Sequence, residues 1–127
     1  MPVYDASLFA PLAPLARVTL RRSGAAAAVD DVPMLLDSGA DVTLIPKASV
    51  GLLGIAINPG PGYELMGFDG TKSVAQAAEL DLVFLNRAFI GRFLLIDQSW
   101  GILGRDVLNH VAVLLDGPQQ SWSEHTR

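Results

Sequence analysis

Leu35, Leu36, Asp37, Ser38, Gly39, Ala40 and Asp41 form an apolar strand end that delivers one carboxylate onto a Ser-Gly turn, with a second acid four positions after the first. An ionised carboxylate placed after two leucines forfeits hydration worth several kcal/mol, so Asp37 has to be hydrogen-bonded, protonated or sharing a proton. The last of these options carries chemistry. Two carboxylates side by side, one ionised and one protonated, can activate a water against a carbonyl group. Asp37 is therefore the candidate catalytic residue. The other Asp-Gly pairs, at Asp69 and Asp116, lack the intervening hydroxyl residue, so the 127-residue chain holds a single Asp-Ser-Gly triplet.

A second block, Gly101, Ile102, Leu103, Gly104, Arg105, Asp106, Val107 and Leu108, sets two apolar residues before a Gly-Arg pair and a short helical stretch. Between the blocks, Tyr63 to Gly70 reads as a hairpin with a Gly-rich tip, Asp-Gly being a strong hairpin signal. On these blocks in this order, the chain over roughly residues 15–116 resembles the retropepsins, single-domain aspartic proteases of retroviral type. The resemblance implies an all-β, closed barrel-like fold with one short helix near the C-terminus, assembled as a symmetric homodimer. Because each chain brings half a site, Asp37 of two copies would meet across a two-fold axis in an isologous contact. The implied activity is that of an aspartic endopeptidase, in which one Asp37 carboxylate takes a proton from water and its counterpart protonates the carbonyl oxygen. Like charges about 3 Å apart do not both ionise, so such a pair works singly protonated, at acidic to mildly acidic pH.

The same resemblance assigns the remaining site residues. Ser38 and Gly39 complete the active-site loop, the hydroxyl bracing the two loops across the dimer and the glycine permitting their close approach. Asp41 pairs with Arg105 of the Gly-Arg signature, whose rigid fork suits a carboxylate, and Gly104 supports the same turn. Ala40, Asp41, Gly67, Phe68, Asp69, Trp100 and Ile102 are the expected substrate-binding residues, with Gly67, Phe68 and Asp69 at the tip of a substrate-covering flap. Apolar candidates dominate, so a peptide or protein substrate with hydrophobic residues flanking the scissile bond is expected. The alternative is a catalytically silent retropepsin-fold module that binds peptides or joins subunits. A serine hydrolase built on Ser38 fails for want of a Gly-x-Ser-x-Gly elbow.

Composition narrows the remaining classes. Half the residues are apolar, 17% are charged and mean hydropathy is +0.37, more apolar surface than a small isolated domain readily buries. A subunit interface would absorb the surplus. The absence of cysteine removes disulfides and thiolate chemistry, and His110 and His125 form no ligand spacing, so neither a metal nor another cofactor is expected. A net charge of −4 with no basic cluster beyond Arg21 and Arg22 argues against nucleic acid. The apolar stretch Ser7 to Leu20 lacks a basic leader and is broken by Pro11 and Pro14, so no signal peptide, membrane span or membrane partner is expected, and a cytoplasmic location follows.

Along the chain, residues 1–14 read as an extended arm and 117–127 as a mobile polar tail with Trp122 its one anchor, flanking the protease domain at 15–116. Ala25 to Ala28, bounded by Gly24 and by Asp30 and Asp31, suggests a hairpin connection. Leu80, Leu82 and Phe84 alternate with Glu79 and Asp81 in the period-two pattern of a half-buried strand. A turn at Leu85, Asn86 and Arg87 leads into the apolar run Ala88 to Ile96, and Val111 to Leu115 predicts a buried strand. Helical segments are expected only within Pro46 to Leu53 and Arg105 to His110.

Overall fold

The computed structural model describes residues 2–55, 57–66 and 72–126, of which 58–66 and 72–75 are described by backbone alone. The expected flap-tip residues Gly67, Phe68 and Asp69 lie outside the described residues. Strand β1 (Leu15–Arg21) turns back into β2 (Ala28–Leu36), and the short β3 (Leu44–Pro46) runs into helix α1 (Lys47–Leu52). Strands β4 (Asn58–Met66), β5 (Lys72–Phe84) and β6 (Arg87–Ile96) follow, then β7 (Gly101–Leu103), helix α2 (Arg105–Leu108), and a final pair, β8 (Val113–Asp116) and β9 (Ser121–Glu124). The fold is mostly β with two short helices, the first of them in the Pro46 to Leu53 segment. No helix among the described residues is long and apolar enough to cross a membrane.

The main sheet closes. Its strands follow the order β1, β2, β7, β3, β6, β5, and β5 pairs back onto β1, leaving β4 as an added strand on β5. Most neighbours are antiparallel, but β2 runs parallel to β7, matching Leu35 to Ile102 and Leu36 to Leu103. That parallel pair brings together the two sequence blocks far apart in the chain. Closure leaves an edge only at β4 and turns alternate side chains of the closed strands into one core. Val18, Leu20, Val32, Met34, Leu80, Leu82 and Leu103 fill it, each no more than 2% exposed.

Local chemistry sets the corners. Gly24, at positive φ, turns the β1–β2 connection, where the Arg22 N–H donates to Ala27 O at 3.1 Å. The β1–β2 register shifts between Val18 and Leu20, with Asp31 at φ 58° marking a bulge that keeps Val32 and Met34 facing inward. Leu85 and Asn86, both at positive φ, form the two-residue turn between β5 and β6.

Three features depart from the sequence-based expectations. Asp81, on the face opposite the core, is covered rather than exposed to solvent where β5 pairs with β1; it is 7% exposed, accepts from Ser23 Oγ at 2.6 Å and lies 3.5 Å from Arg21. The strand expected as buried at Val111 to Leu115 is β8, displaced to Val113–Asp116 and paired with β9 outside the barrel, so Leu114 and Leu115 are about half exposed. The tail expected to be mobile contains β9 instead. There Trp122 is 4% exposed, its indole N–H donates to Leu15 O at 3.0 Å, and its ring lies 5.9 Å from Phe84. The arm also folds back, with Val3 bridging Ser121 and Asp5 bridging Ala13.

Candidate active site

Asp37 follows the last residue of β2, and its N–H continues the ladder by donating to Leu103 O at 3.1 Å. The next three residues close a turn, with the Ala40 N–H donating to Asp37 O at 3.1 Å and the Gly39 N–H to Asp37 Oδ1 at 3.0 Å. Of the states open to a carboxylate at the end of two leucines, this chain supplies the hydrogen-bonded one. Asp37 is half-buried, Ser38 and Gly39 are exposed, and Ala40 is half-buried. The loop therefore presents itself at the surface of the barrel.

Arg105 holds that loop from below. Its backbone N–H donates to Ala40 O at 2.9 Å, its Nη1 donates to Ser38 O at 2.7 Å, and its Nη2 forms an ion pair with Asp41 Oδ1. The Asp41 and Arg105 side chains are 82% and 42% exposed, so the ion pair itself is a surface one, worth about 0–1 kcal/mol. The contact to the Ser38 carbonyl fixes the loop more specifically than the charge does. Gly104 is required by close approach, because a Cβ there would stand 2.5 Å from the Val42 carbonyl.

A second tie, not foreseen from the sequence, joins the same two segments deeper down. Thr43 is 1% exposed; its Oγ1 donates to Asp106 Oδ1 at 2.6 Å, its N–H donates to Asp106 Oδ2 at 3.1 Å, and its Oγ1 accepts from the Gly104 N–H at 3.1 Å. A hydroxyl inside the run from Val42 to Ile45 is the signal that could have found it, since a buried hydroxyl needs a partner.

Of the expected substrate-binding residues that are described, Ala40 and Asp41 lie on the loop itself, and Trp100 and Ile102 on the segment that leads to Gly104. Ile102 pairs with both Leu35 and Leu44 and is half-buried, whereas its neighbours Gly101 and Leu103 are buried. Trp100, half-buried like Ile102, lies in the bend just before β7, and Asp37 directly follows β2. Gly101 must be glycine, because a Cβ there would meet Leu44 O and Met34 Sδ at 2.4 Å. Phe9 of the arm, absent from the sequence-based site, stands against Trp100 with ring centroids 4.8 Å apart and planes at 64°. On the other side of the loop, Ser38, Leu36 and Arg105 border a cavity of about 550 Å³ whose far wall includes Leu114 and Leu115. Among the described residues no group of three or more His, Cys, Asp or Glu side chains could hold a metal ion.

The fold is similar to that of the EIAV protease, solved in complex with the inhibitor HBY-793, with a TM-score of 0.61 over 77% of this chain and 86% of that one. The two are 23% identical, and the likeness is one of fold. No family model and no curated protein matches the chain.

Proposed function

We propose that the chain is half of an aspartic endopeptidase, completed when a second copy brings its own Asp37 to the first across a two-fold axis. The observation that carries this reading is the Asp37 loop itself. A lone carboxylate, accepting from Gly39 and braced through Arg105 and Gly104, stands at the surface of a closed barrel of retroviral-protease type. A single carboxylate lacks the acid that must protonate the carbonyl oxygen, and a second copy supplies it. In the dimer one Asp37 accepts a proton from the attacking water and the other donates to the substrate oxygen, with no covalent intermediate. The Gly39 N–H donates to Asp37 Oδ1 at 3.0 Å and so fixes the orientation of the carboxylate on the loop.

Support for the second copy comes from the surface beside the loop. β8 pairs with β9 on one edge, Leu114 and Leu115 are exposed, and the cavity they share with Ser38 is open to a partner. Apolar surface of this kind favours association between copies. Peptides with hydrophobic residues around the scissile bond are the substrate class that fits the Leu35, Leu44 and Ile102 face.

The test is cleavage of a diverse peptide library at several pH values, with and without a statine-type transition-state mimic, by the wild-type chain and by Asp37→Asn. Cleavage blocked by the mimic and absent from Asp37→Asn is the expected result. Binding of the mimic without cleavage by the wild type would instead indicate a peptide-binding module.

A further inference from the structure

We infer that Phe9 and Trp100 together form the aromatic corner of a subsite for an apolar side chain of the peptide substrate, making Phe9 a specificity-determining residue contributed by the arm. This rests on the peptidase reading above. The arm places Phe9 by construction rather than by chance contact. Asp5 and Ala13 exchange backbone hydrogen bonds of 2.8 and 3.2 Å, which closes residues 5–13 into a loop. The Asp5 carboxylate then accepts from the Leu8 N–H at 2.6 Å and from Ser7 Oγ at 2.9 Å, fixing the segment immediately before Phe9. Trp100 is held from its own side, where Gln98 Nε2 donates to its carbonyl at 2.9 Å.

Both rings stay half-buried, outside the core that the alternating positions of β7 build. Their planes meet at 64°, which leaves a ring face and a ring edge converging on one corner, a geometry suited to another apolar or aromatic group. Trp100 stands two residues before Ile102, whose partner on β2, Leu35, stands two residues before Asp37. None of Phe9, Trp100, Leu35 and Ile102 offers a charged partner, so a charged substrate side chain would lose its hydration there without return. An aromatic or branched apolar side chain would instead shed apolar surface against two rings.

The experiment labels the full chain with 5-fluorotryptophan and follows its two indole signals, assigned with Trp100→Phe, as statine-type peptides carrying either an aromatic residue or alanine beside the statine are added. Kinetics on the matching cleavable peptides accompany it. The Trp100 signal should move with the aromatic peptide while the buried Trp122 signal stays. Phe9→Ala should raise KM for the aromatic peptide by about three- to tenfold and leave the alanine peptide unchanged. Phe9→Leu should recover part of that preference, and Leu8→Ala, on the same loop but without a ring, should leave it intact. Cleavage that proceeds with no Trp100 shift, or with the same aromatic preference in Phe9→Ala, would overturn the subsite alone. Failure of both cleavage and mimic binding would overturn the peptidase reading and the subsite with it.

Discussion

Thr43 shows how much of the loop's rigidity depends on one buried hydroxyl. It donates to Asp106 and accepts from Gly104, so its removal strands a backbone donor and a carboxylate oxygen at once. Thr43→Val should therefore cost about 1–3 kcal/mol in urea unfolding. Asp41→Ala, which breaks an ion pair with one partner 82% exposed, should cost about 1 kcal/mol or less. Equal losses would mean that the exposed pair, not the buried tie, holds the loop. The Asp-Ser-Gly triplet and the Gly-Arg pair were legible in the sequence because each demands a particular turn chemistry. Thr43 and Asp106 were not, because a threonine between two apolar residues also fits an ordinary strand, and its partner lies far along the chain.

Elements built by alternation were legible in the same way, and those decided by tertiary context were not. Leu80, Leu82 and Phe84 point inward as their period-two spacing predicts. Asp81 belongs to the opposite set and is buried anyway, because closure of β5 onto β1 covers it, and no local pattern announces closure. Leu114 and Leu115 illustrate the reverse, an apolar run left exposed because its strand joins a separate hairpin. The short β7 begins at one glycine, Gly101, and is followed by another, Gly104, both in close contact with the β3 segment. Gly104→Ala would drive a Cβ to 2.5 Å from the Val42 backbone and should destabilise the chain by at least about 1–3 kcal/mol, measured by thermal unfolding. Wild-type stability in that variant would show that the Val42 segment yields easily.

The arm carries a pH dependence of its own. The Leu8 N–H, aided by the Ser7 hydroxyl and the charge of Arg17, holds the Asp5 carboxyl below its ordinary value of 3.8. A carboxyl lowered on folding contributes stability above its unfolded value, and that contribution is lost as pH falls through the lower, folded one. The loop at 5–13 should thus stay closed through mildly acidic pH and loosen only in stronger acid. A pH titration of the Leu8 amide by NMR should show a midpoint below 3.8, and Asp5→Asn should abolish the step. A midpoint at or above 3.8 would mean that the Asp5 contacts do not hold the arm in solution.

At the scale of the whole molecule, the barrel explains why two distant sequence blocks make one loop: parallel pairing of β2 with β7 sets Asp37 beside Leu103, and α2 then reaches back to Ser38. On the proposed reading, the second carboxylate comes from a second copy. Mixing subunits tests that directly. Wild-type chain and Asp37→Asn are combined at constant total concentration, allowed to exchange, and assayed for peptide cleavage as the wild-type fraction is varied. If each site needs an Asp37 from both copies, mixed dimers are inactive and activity follows the square of the wild-type fraction, about one quarter at equal mixture. Activity that falls in direct proportion to the wild-type fraction would show that one chain suffices, and would contradict the shared site.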